Sequence, residues 1–216
     1  MIRLSLAAAA SVLVLAACAT APEAPVDTAG SVSAAAEVST FDLAMQTVED
    51  LVAAGNTQTA VDRLTQLLGD PSLSRDELAA ALYRRAELRL SDMGFDTMGA
   101  IEDLEELTTD FADTEWNTAA VGLLETARGK ADSLHFQMEQ PETTRSAAFS
   151  VLMDLGMHEE AIDLMLANDI TPDNDTLVAM YQIGYLCEGD DLTGRAYDLT
   201  EPDGTSRSVR FCDFGK

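Results

Sequence analysis

The chain has 216 residues, enough for one core and a small appendage, and it is rich in alanine, leucine and acids with only 6% aromatic residues, which favours helices over strands. Its formal net charge is −25, and Lys130 and Lys216 are its only lysines. A surface of that sign repels phosphate backbones and anionic headgroups, which argues against nucleic-acid binding and against adhesion to a bilayer by charge.

The first element is a short apolar run. Arg3 supplies a minimal positive region, Leu4 to Leu15 an apolar core, and Ala16 and Ala17 lead into Cys18. A helix that crosses a bilayer needs about 20 apolar residues, and Leu4 to Ala17 is too short. Leu15-Ala16-Ala17-Cys18 resembles the lipobox of bacterial lipoproteins. The resemblance implies that residues 1–17 are a signal peptide, that Cys18 is acylated, and that the mature chain starts there and is held to a membrane by lipid. An ordinary cleaved signal is the alternative, because Ala-x-Ala also occurs here. Ala19 stands where such lipoproteins carry Asp when they stay at the inner membrane. The resemblance therefore points to the inner face of the outer membrane, with surface exposure still open. Residues 18–39 hold Pro22, Pro25 and Gly30 among small polar residues without apolar periodicity, and read as a flexible tether.

Helical periodicity begins at Phe41, with Met45, Val48 and Leu51 following at spacings of three and four. Ser39 and Asp42 fit a start signal and Gly55 a stop. A second helix carries Val61, Leu64, Leu67 and Leu68 and closes before Pro71. Ser74 and Glu77 read as a capping box that opens a helix with Leu78, Leu82, Ala86 and Leu90. Gly94 punctuates, and the next helix carries Ile101, Leu104, Leu107 and Phe111. A longer stretch runs from Trp116 to Met138, where Gly122 and Gly129 leave open whether it is one straight helix. Pro141 is the expected start of a helix that ends at Gly156. Ala161, Leu164 and Met165 mark another, stopped by Pro172, and a short one runs from Asn174 to Ile183. All the links are short, so consecutive helices are expected to pack antiparallel.

The helix pairs repeat. Gly55-x4-Ala60-x10-Pro71 recurs as Gly156-x4-Ala161-x10-Pro172, and Gly94-x5-Ala100 is a middle copy with one extra residue. Glycine permits a tight turn, alanine a close approach, and proline stops the second helix. The pattern resembles the tetratricopeptide repeat (TPR), a helical hairpin of about 34 residues. The best-matching segments are Leu152 to Ile162, and Tyr83-Arg84-Arg85-Ala86 with Ala100-Ile101. The match has a gap from about Trp116 to Gln140. The resemblance implies a mainly α fold over residues 40–183, a TPR-like α-α superhelix of antiparallel helix pairs; a generic α-α superhelix is the alternative. It further implies a non-enzymatic adaptor whose groove holds an envelope or periplasmic protein. Similar TPR lipoproteins serve in outer-membrane protein assembly, in pilus or secretin assembly, or in recruiting cell-wall hydrolases.

Residues 184–216 change character. Thr193 to Phe214 alternates β-branched and aromatic residues, and Pro202-Asp203-Gly204 is a turn signal. A hairpin with Tyr197 facing Val209 and Leu199 facing Arg207 would gather Tyr197, Leu199, Val209 and Phe211 on one face. With Cys18 consumed by lipid, Cys187 and Cys212 form the default disulfide of an oxidising compartment.

No catalytic constellation is present: there is no G-x-S-x-G elbow, Walker loop or H-E-x-x-H motif, and no cofactor is implied. His135 and His158 have no metal-ligand spacing and read as structural or exposed. Glu102, Asp103, Glu105, Glu106, Asp110 and Asp113 read as a solvated helix face. Asp169 and Asp173-Asn174-Asp175 resemble a calcium loop but lack its glycine and glutamate. A small-ligand or divalent-cation-binding lipoprotein is therefore the alternative function. Arg84, Arg85 and Arg89 are the candidate partner-binding residues, since the first helices of TPR pairs line the groove and paired arginines suit a carboxylate or phosphate. Pairing with Glu87, Asp92 or other nearby acids is the alternative.

Overall fold

The computed structural model describes residues 39–189 and 192–212. Residues 1–38, with the expected signal peptide, Cys18 and all but the last residue of the expected tether, lie outside the described residues. Ser39 opens the helical array: its Oγ accepts the Asp42 N–H at 3.0 Å while the Asp42 carboxylate accepts the Ser39 N–H at 3.3 Å, so two orphan donors at the helix start are satisfied reciprocally. The helices are α1 (Thr40–Ala53), α2 (Thr57–Leu68), α3 (Arg75–Leu90), α4 (Thr97–Asp110), α5 (Trp116–Glu139), α6 (Arg145–Leu155), α7 (His158–Asn168) and α8 (Asn174–Ile183). Ser74 and Glu77 form the same box at the start of α3. The protein is mainly helical, with a small antiparallel sheet near the C-terminus.

Three apolar clusters run along the array. Val48, Val61, Leu64 and Leu88 join α1 to α2 and α3. Leu82, Leu104, Leu107, Leu124 and Leu155 join α3 to α4, α5 and α6. Phe149, Met165, Val178, Leu186, Leu199 and Val209 form the third around α6, α7, α8 and the strands. α5 is one helix, because Gly122 and Gly129 face open space while Ala120, Leu124, Ala127 and Ala131 are buried. The start of α6 differs from the expectation at Pro141. Thr144 is the cap, accepting the Ala147 N–H at 3.2 Å, and Thr143 closes the preceding turn by donating its N–H to Gln140 O at 3.1 Å.

The turn residues give the pairs their register. Gly55 has φ +78° and Gly156 φ +88°, the left-handed values that glycine tolerates. Gly94 is not left-handed; Phe95 is, at φ +47°. Counted from Phe95, the middle copy reads Phe95-x4-Ala100, in step with Gly55-x4-Ala60 and Gly156-x4-Ala161. The extra residue is Gly94 itself. A Cβ there would collide with the Leu88 and Arg89 carbonyl oxygens, so Gly94 serves close backbone approach.

The end of the chain breaks the neighbour-to-neighbour pattern. α8 packs on α2, far away in sequence, and on the strands β1 (Leu186–Cys187) and β2 (Tyr197–Thr200). Gln182 of α8 accepts the Gln58 N–H at 3.3 Å and donates to Asn56 Oδ1 at 3.3 Å. With β3 (Ser206–Phe211) the strands form an antiparallel sheet in the order β1-β3-β2. Tyr197 faces Val209 and Leu199 faces Arg207, as the turn signal predicts, and Tyr197, Leu199 and Val209 are buried. β1 adds a strand beyond the expected hairpin. Cys187 and Cys212 are joined in a disulfide.

Gly94→Ala should lower stability by about 1–3 kcal/mol through overpacking against the end of α3, measured by chemical denaturation. Replacing both Cys187 and Cys212 by Ser should cost about 3 kcal/mol, and hydrogen exchange should then rise in β1–β3 before it rises in α3 and α4.

Candidate functional site

A groove of about 470 Å³ lies between α1, α3 and the start of α5. Its apolar wall is Phe41 and Met45 from α1, Ala80 and Tyr83 from α3, and Trp116 from α5. On α1 the pair Phe41/Met45 is spaced four apart; on α3 the residues Ala80, Tyr83, Arg84 and Glu87 form one stripe. The Tyr83 and Trp116 rings lie against each other with centroids 5.3 Å apart and planes tilted by 36°, a favourable aromatic arrangement. Burial raises the Tyr83 phenol above its ordinary pKa, and Glu87 adds to the effect, so the hydroxyl stays neutral in the physiological range.

Arg84 is the one arginine of the expected trio that lines this groove. Its Nε and Nη2 donate to the two Glu49 oxygens, both at 2.8 Å, and its Nη1 donates to Glu87 at 3.2 Å. Burial works against the charge, yet Glu49 and Glu87 more than compensate and hold the guanidinium above its ordinary pKa. Arg85 and Arg89 point to the other side of α3. Arg85 grips both oxygens of Asp103 at 3.0 and 2.6 Å and donates to Thr65 Oγ1 at 3.0 Å. Arg89 Nη1 donates to Asp103 at 2.9 Å and to Gly99 O at 2.8 Å. Its Nε lies 3.0 Å from Asp96 Oδ2, close enough for an ion pair although not aligned as a hydrogen bond. All three arginines are thus paired within the molecule.

Asp103 departs from the expected solvated face. It is only 3% exposed, whereas Glu102, Glu105, Glu106, Asp110 and Asp113 are exposed. Ala100, Asp103, Leu104 and Leu107 share the i, i+3, i+4, i+7 stripe that packs inward, and that spacing was legible in the sequence. The buried carboxylate is satisfied because two guanidiniums from α3 surround it.

The remaining candidates have structural partners. His158 Nε2 donates to Phe95 O at 2.7 Å and its ring meets Tyr185 edge-on, while His135 is exposed. Asp173 caps α8 by accepting the Thr176 N–H at 2.9 Å. Asn174 accepts the Thr200 N–H at 2.7 Å and donates to Thr200 O at 3.0 Å, which satisfies the outer edge of β2. Asp169 pairs with Arg195 at 2.6 Å. Among the described residues, no group of three or more His, Cys, Asp or Glu is placed to hold a metal ion, and no helix is long and apolar enough to cross a membrane.

Compared with known proteins, the chain matches no family model, no curated protein and no solved structure at a significant level.

Asp103→Ala should cost about 3–5 kcal/mol, because two arginines lose their buried counter-charge. Denaturant titration checks this; a loss below about 1 kcal/mol would place the pair with ordinary surface bridges.

Proposed function

We propose that this is a lipid-anchored, non-enzymatic protein of the bacterial outer membrane whose TPR-like helices hold another envelope protein. The observation that carries the reading is the groove: α1 and α3, the first helices of the first two repeat copies, contribute its wall together with Trp116, which opens the stretch between the copies. The wall offers aromatic and methionine side chains, the residue types enriched where proteins bind one another. The Cys18 lipid supplies the anchor in this reading, and the groove begins at Phe41, soon after the tether in sequence.

The arginine trio takes a different part from the one its sequence suggests. Arg85 and Arg89 support the groove from behind by fixing α3 on α4, and only Arg84 stands where a partner would touch it.

Cys18→Ser should abolish labelling by fatty acid and release the protein from membranes; a variant that is still acylated overturns the anchor. Met45→Gln, an uncharged change at a half-buried position on the groove wall, should abolish co-purification of the partner that the wild type captures from envelopes, with a circular dichroism melt confirming that the variant is folded. The cation-binding alternative requires a rise in thermal stability with millimolar calcium, by mass action; the adaptor reading requires none.

A further inference from the structure

We infer that the partner enters the α1–α3–α5 groove through a basic segment that carries an apolar anchor, an inference that rests on the adaptor reading above. The groove is an apolar wall set in carboxylates. Asp42, Glu49 and Glu87 line it together with a single cation, Arg84. A second hollow of about 380 Å³ shares Phe41, Asp42, Ala80 and Trp116 with the first and adds Asp76, Glu77 and Glu115. Six carboxylates thus face one guanidinium.

That guanidinium is committed. Glu49 takes its Nε and Nη2 and Glu87 its Nη1, so an incoming carboxylate would have to displace a bidentate pair. An incoming Lys or Arg meets the opposite situation: Asp42, Asp76, Glu77 and Glu115 line the two hollows without an ion pair among the described residues, and a cation is attracted to the Tyr83 and Trp116 rings. Its aliphatic stem would cover apolar wall while its charge reaches the rim.

Charge complementarity also decides against the two nearest alternative occupants. Residues 19–38 contain Glu23, Asp27 and Glu37 and no Lys or Arg, so the chain's own tether is the wrong sign. A second copy of a chain with net charge −25 is repelled. A basic partner is steered towards the site, and the steering weakens with salt.

Trp116 is the only tryptophan and it lines both hollows, so its emission reports on this site alone. The test uses the full lipidated chain in vesicles of uncharged lipid, which add no other tryptophan. The probe is a soluble, Trp-free Gly/Ser peptide that carries one Phe flanked by lysines; its twin carries glutamates instead. The lysine peptide should change Trp116 emission saturably, and added salt should weaken it. Glu49→Gln with Glu87→Gln should weaken it about tenfold. Arg84→Gln should tighten it. Circular dichroism melts confirm that each variant is folded. Equal or better binding of the glutamate peptide overturns the inference, as does weaker lysine-peptide binding in Arg84→Gln or the absence of any emission change. Met45-dependent co-purification is read independently, so the charge assignment can fail while the adaptor reading stands.

Discussion

The loop of residues 91–96, between α3 and α4, is the constraint on which the remaining architecture depends. Gln58 of α2 donates to Met93 O at 2.9 Å and to Gly94 O at 2.6 Å. His158 of α7 donates to Phe95 O. Asp96 caps α4 by accepting the Gly99 N–H at 2.9 Å and pairs with Arg89 of α3. Met93 and Phe95 pack on the cluster that holds α8 and the sheet. Backbone carbonyls that a short turn leaves orphaned are here the acceptors that tie distant helices together. Phe95 adopts a left-handed conformation that ordinarily disfavours its side chain, and its apolar packing and the His158 hydrogen bond to its carbonyl hold it there.

Asp103 of α4 explains how the two faces of α3 differ. Arg85 and Arg89 turn inward to Asp103 and fix α3 against α4, with their charges nearly enclosed. Removing either sign would leave the other buried and unpaired, which makes the network costly to disturb. With α3 held from behind, its opposite stripe of Ala80, Tyr83, Arg84 and Glu87 is presented rigidly against α1 and Trp116. A site on rigid helices needs little ordering when a partner arrives, and that lowers the entropic cost of association.

Much of the fold was legible because it follows local rules. The two capping boxes, the left-handed Gly156 and the Pro202–Gly204 turn each act within a few residues, and periodicity separated the helices. Two features resisted because they are settled by contacts remote in sequence. Gly94 reads like the glycine of the other copies, yet the left-handed residue is Phe95, and packing on the cluster of α6, α7, α8 and the strands together with the His158 hydrogen bond makes that tolerable. Asp103 sits in a run of acids and reads as solvated, although its spacing to Ala100, Leu104 and Leu107 already put it on the inward stripe. Its burial requires Arg85 and Arg89, whose common face was visible but whose counter-ion was not. The groove was harder still. Phe41 and Met45 read as the apolar face of their helix, Tyr83 as part of a repeat match and Trp116 as the start of a long helix; only the space between α1 and α3 shows them lining one groove. The closure of α8 onto α2 has no local signal at all.

The most direct test of the account is a photo-crosslinking amino acid placed at position 45 of the full chain in native envelopes, with position 166 as the comparison. Met45 lines the groove, and Leu166 is 56% exposed on α7, outside it. The account predicts one reproducible envelope protein crosslinked from position 45, through a segment rich in Lys or Arg, and none from position 166. The same crosslinks from both positions, or none from position 45 where labelling is efficient, would contradict it.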